Sequence, residues 1–132
     1  MAKTMNVKWA DAPAEHDYPA AASYLRLTAE PDLAEALATL LYGSETIQHF
    51  AKDILRAARL PLLPATDPEV AKDLKKVRKG EALSPILLVR GDVRSDLPLQ
   101  VADGYHRICA SYHLSENTAI PCRLVSLPVT AD

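Results

Sequence analysis

Cysteine is scarce in this chain: Cys109 and Cys122 are the only two among 132 residues, 13 positions apart and not in a C-x-x-C arrangement. Two such thiols do not make the disulfide framework of a small secreted domain, and both are expected to be reduced packing residues. Strong charge of either sign is also missing. The formal net charge is −2, so the overall field does not draw the chain to nucleic acid, although local patches remain able to. The first residues, MAKTMNVKWADAPAEHDYP, contain no apolar h-region of a secretory signal. The longest apolar runs fall far short of a bilayer span. No internal repeat or low-complexity tract is visible. A cytoplasmic protein without a membrane partner is the expectation from these absences.

What is present suits a folded domain. Hydrophobic residues make up 48% and charged residues 24%, enough apolar chain for one core, so residues 1–132 are read as one domain. Residues 1–18 read as an irregular arm, with a short strand near Val7–Trp9. Residues 20–79 read as mainly helical. Ala20–Leu27 favours helix on propensity. Pro31–Tyr42 opens with Pro31 and Asp32 and carries Leu33, Leu37, Leu40 and Leu41 as a stripe. Ser44 is placed to cap a third helix over Glu45–Ala58, burying Ile47, Phe50, Ala51, Ile54 and Ala58. After the proline-rich connector 60–68, Asp67 reads as an N-cap and Pro68 as the first residue of a fourth helix. Val70, Leu74 and Val77 form its apolar side, and Gly80 its stop. The basic residues Lys72–Lys79 either complement the helix dipole or contact a phosphate backbone or partner.

The pattern changes after Gly80. Ile86–Arg90 and Leu99–Asp103 read as strands, Tyr105–His113 as a helix and 120–127 as a third strand, giving strand-strand-helix-strand over 83–127. An α+β domain follows, a small mixed β-sheet packed with helices behind a helical N-terminal half.

Asp103 ends a strand and Gly104 makes the turn into a helix, where backbone N–H groups and the dipole favour an anion. His106 and Arg107 stand in the first turn, where a cation is disfavoured unless an anion is bound. Arg107 offers a planar fork for phosphate oxygens, and His106 a donor or a proton carrier. Asp103 can hold magnesium, orient a hydroxyl or cap the helix. Structure alone accounts for the same residues if Asp103 caps, Tyr105 packs and Arg107 pairs with a carboxylate.

VADGYHRICAS resembles the D-G-x-H-R signature of the ParB/sulfiredoxin-like superfamily. LSPILLVR before it and IPCRLVSL after it resemble the flanking strands, so the likeness covers roughly residues 50–127. The resemblance implies a stand-alone ParB/sulfiredoxin-like fold that binds ATP, ADP or CTP, with Mg2+. Gly104, Tyr105, His106 and Arg107 then form the nucleotide site, with Asp103, His106 and Arg107 as catalytic residues and Asp103 as the metal ligand. The sulfiredoxin nucleophile falls where this chain has Tyr105, so sulfiredoxin chemistry is not expected. Partitioning members carry a helical DNA-binding region beyond the nucleotide domain, and no such region is expected here. What remains is a magnesium-dependent phosphotransferase or phosphohydrolase acting on a small molecule. The alternative is a non-catalytic nucleotide sensor or DNA-associated binding module.

Lys52 and Arg56, with Asp53 and Arg59, form a second polar cluster. It is either a solvated helix face or a source of positive charge reaching the phosphates at Gly104. Glu15, Asp17 and Asp53 are further carboxylates for the substrate side. His16, Tyr18 and Tyr24 either line a small-molecule pocket or belong to an N-terminal flap packed on the core.

Overall fold

All four residues of Ile86–Val89 are buried, and this strand (β2) organises the molecule. The computed structural model describes residues 6–128. Around β2 it sets β1 (Ile47–Phe50), β3 (Gln100–Asp103) and β4 (Ala119–Val125), in the order β1-β4-β2-β3. β4 runs parallel to β2, while β1 and β3 are antiparallel to their neighbours. The result is a mixed four-stranded sheet packed against helices, the α+β class expected.

Alternate residues of β2 face opposite sides. Leu87 and Val89 join Tyr18, Ala21, Leu25, Ala34, Leu37 and Leu41 from α1 (Asp17–Leu25) and α2 (Pro31–Gly43). Ile86 and Leu88 meet Ile54, Leu55, Val70 and Ile108 from α3 (Ala51–Ala58), α4 (Pro68–Arg78) and α5 (Tyr105–Leu114). Helices therefore cover both faces, which is why the strand reads as an unbroken apolar run. Each of its side chains contributes roughly 1.5–3 kcal/mol by burial. Cys109 and Cys122 are fully buried in the second group, as packing residues. α4 starts as its sequence indicates: the Asp67 carboxylate accepts from the N–H groups of Glu69 and Val70, both at 3.1 Å. Gly80 follows that helix with φ +75°.

The expected third helix over Glu45–Ala58 is half wrong. Residues 47–50 form β1, paired with β4 from Ile47↔Cys122 to Phe50↔Ala119, and helix begins only at Ala51. Ile47 and Phe50 are exposed rather than buried. Their i, i+4 spacing relative to Ala51 and Ile54 imitates a helix face, but the β-rich stretch IQHF found a strand to pair with, and that tertiary contact overrode propensity. Ser44 caps nothing downstream. Its hydroxyl donates to Leu41 O, closing α2. Near the N-terminus Trp9 makes only an isolated bridge to Leu83, and α1 starts at Asp17, earlier than expected. Residues 1–5 of the expected arm lie outside the described residues.

Candidate functional site

The turn from β3 into α5 is built by a bulge and a glycine. Pairing passes from Leu88↔Val101 to Leu87↔Asp103, so β3 holds one extra residue, Ala102. Bulges of this kind re-aim the side chains beside them. Gly104 then adopts φ 111°, ψ 15°. A Cβ at that position would collide with the Ile86 side chain, so both conformation and space demand glycine.

Asp103 and Arg107 stand one helical turn apart and pair directly. Arg107 Nη1 also donates to Ser84 O at 2.6 Å and Pro85 O at 3.3 Å, and lies 3.5 Å from Asp17 Oδ2. Its side chain is only 13% exposed. Ser84 Oγ donates to Asp17 Oδ2 at 2.6 Å and accepts from Ala14 N at 2.9 Å. One guanidinium thus ties the start of α1, the start of β2 and the start of α5 together. Burial raises the Asp103 pKa above its ordinary value; Arg107 opposes the rise and Asp17 adds to it. Two carboxylates against one guanidinium leave this cluster one negative charge when both are ionised.

His106 lies on the open side of the turn, 45% exposed, with Nε2 4.0 Å from Asp67 Oδ2. Tyr105 stacks beside it in a tilted arrangement at 5.7 Å and donates its hydroxyl to Pro61 O. No side chain caps the first N–H groups of α5. On α4, burial raises the pKa of Asp73 against the charges of Arg107, Lys76 and His106.

Lys52 and Arg56 are exposed on α3, in keeping with the solvated helix face that was one of the two readings of this cluster. They line a separate cavity of about 660 Å³ with Tyr112 and Glu116, beside the last turn of α5. The cause is local: Ala51 N and Lys52 N donate to Thr118 O and Glu116 O, anchoring the start of α3 where α5 ends. Asp53 stays with Arg56 at 3.7 Å. Of the substrate-side carboxylates considered, Asp17 reaches Arg107. Tyr18 and Asp17 are buried and Tyr24 donates to Gln100 Oε1 at 2.6 Å, so this segment is a flap packed on the sheet. Ser84 and Asp73 had no sequence signal; nothing in LSP or in the α4 pattern points to Arg107.

Asp103 fits poorly as a magnesium ligand, because its carboxylate is engaged by Arg107. No group of three or more His, Cys, Asp or Glu among the described residues is arranged to hold a metal. The thiols offer no nucleophile at the turn: burial raises Cys109 and pushes Cys122 up to about 11. No helix among the described residues is long and apolar enough to cross a membrane. Comparison with protein-family models, curated proteins and solved structures finds no match to the chain.

Proposed function

We propose that this chain is a nucleotide- or phosphate-binding protein of the ParB/sulfiredoxin-like kind, with the ligand's phosphate at the start of α5. The observation that carries this reading is the uncapped first turn of α5 behind Gly104, with the half-exposed His106 in it. Unpaired N–H groups and the helix dipole favour an anion there. His106 in that turn can donate a hydrogen bond to a bound anion. Arg107 acts as a positioning residue, holding the turn through Asp103, Asp17 and the carbonyls of Ser84 and Pro85.

A binding module is favoured over a phosphotransferase or phosphohydrolase by one feature. Asp103, the carboxylate that would serve the catalytic form, is already committed to Arg107. Calorimetric titration of ATP, ADP, CTP and inorganic phosphate tests both forms. Binding of at least one nucleotide is expected, weakened roughly tenfold by His106→Ala, the loss of one charge-assisted bond. Nucleotide affinity unchanged by His106→Ala would remove the ligand from this turn. Release of phosphate or transfer to a small molecule, abolished by Asp103→Asn, would restore the catalytic form.

A further inference from the structure

At the other end of β2 the chain encloses a second, larger cavity of about 1030 Å³. Four residue steps along the strand, roughly 13 Å, separate Ile86 beside Gly104 from Arg90 at this cavity. Its floor is apolar, formed by Ile54, Leu88, Leu99 and Leu124, and its rim carries Arg56, Arg59, Arg90 and Arg94. Three of the large hydrophobic residues left exposed on the surface, Val93, Leu97 and Leu127, gather at the same mouth.

The wall made by residues 91–98 is already folded. Asp92 N donates to Leu97 O at 3.0 Å and Leu97 N to Asp92 O at 2.9 Å. A Cβ on Gly91 would lie 2.6 Å from Pro98 C, so the loop closes only over glycine. Leu99 N donates to Ala57 O, and Arg59 pairs with Asp96, which fastens the loop to α3. Arg94 pairs within the loop with Asp92 at 3.4 Å. Those two arginines therefore already have carboxylate partners. Arg56 is held only loosely, 3.7 Å from Asp53 with its side chain 86% exposed. Arg90 has no carboxylate partner among the described residues; its Nε donates to Ser126 Oγ at 3.3 Å. Among the described residues, four arginines against Asp53, Asp92 and Asp96 leave one positive charge without a carboxylate, and it falls at Arg90.

We infer that this cavity binds a small amphipathic monoanion, an aliphatic or aromatic carboxylate, with its apolar body on the Leu88–Leu124 floor and its carboxylate on Arg90. The folded wall lowers the ordering cost of binding, and the surplus of a single cation matches one acid group rather than a polyphosphate. Arg90 presents its terminal nitrogens as a fork for the carboxylate, with Arg56 across the mouth as a second, weaker partner. This site is separate from the turn at Gly104 and does not depend on what binds there.

The test uses the full chain and 1-anilinonaphthalene-8-sulfonate as a fluorescent probe, displaced by decanoate and, as the uncharged control, by decanol. One-to-one binding is expected, with decanoate displacing the probe at least about tenfold better than decanol. Arg90→Gln should weaken decanoate roughly tenfold, the loss of one charge-assisted bond. Leu97→Glu, a substitution at an exposed position, should abolish displacement by placing a like charge at the mouth. His106→Ala should change neither probe nor decanoate affinity. Absence of saturable probe binding, equal displacement by decanol, or an unchanged decanoate affinity in Arg90→Gln would each overturn the assignment.

Discussion

Arg107 and Arg90 flank the same strand, one beside Ile86 where β2 begins and the other directly after Val89 where it ends. Arg107 is 13% exposed and is held by Asp103, Asp17 and two backbone carbonyls. Arg90 is exposed, and among the described residues its side-chain partner is one serine hydroxyl. A buried guanidinium must be fully paired, and its pairs hold three elements in place. A solvated one gives the fold little and remains open to a ligand. The D-G-x-H-R turn is thus a construction joint as well as a candidate site. Among the described residues the arginine rim, outside the D-G-x-H-R turn, is the one with charge to spare.

The largest expected effect breaks the joint. Arg107→Met keeps volume but leaves Asp103 and the buried Asp17 without their cation, and should cost about 3–5 kcal/mol in urea unfolding. A loss below about 1 kcal/mol would mean that the two ends do not differ as described. Gly104→Ala comes next. The positive φ costs roughly 1–2 kcal/mol and the collision with Ile86 roughly 1–3 kcal/mol. Denaturation midpoints of Gly104→Ala and Gly43→Ala compared side by side would isolate the effect, since a Cβ on Gly43 meets nothing within 4 Å.

A pH series sharpens the same contrast. Because burial raises Asp103 above 3.8, the folded state keeps its proton at a pH where the unfolded chain has lost it. Stability therefore falls as pH rises from the unfolded value through the raised folded value, and is regained on acidification across that interval. Asp103→Asn should flatten this part of the profile, read from unfolding free energies measured upward from about pH 4. A slope unchanged by the substitution would show that Asp103 ionises as an ordinary carboxylate. The smallest effect belongs to the other end: Arg56→Ala should alter stability by no more than about 0.5 kcal/mol. A loss near that of Arg107→Met would erase the distinction.

Much of the C-terminal half was legible. β2, β3, α5 and β4 announce themselves because their apolar runs, Gly104 and the proline before β2 act on neighbours in sequence. The cap at Asp67 and the stop at Gly80 were readable for the same reason, as local hydrogen bonding and backbone geometry. β1 was not, because Ile47–Phe50 carries a spacing that a helix would share, and the choice lay with β4, some 70 residues onward by the Phe50↔Ala119 pairing. At the site, Asp103, Gly104, His106 and Arg107 were adjacent in sequence and stayed together. Lys52 and Arg56 had the right charge, but the anchoring of α3 at Glu116 and Thr118 sent them to the far end of α5.

By itself the sequence determined which run buries itself as the central strand, where α4 starts and stops, and that a tight glycine turn would precede α5. These are properties of residues within one or two turns of each other. Only the tertiary structure decided that Arg107 is consumed by Asp17, Ser84 and Asp103 while Arg90 is not. A guanidinium's partners are set by which chain ends the packed sheet brings within a few ångströms. Asp17 and Arg107 become neighbours because both α1 and α5 must cover β2, and no pattern along the chain encodes that distance.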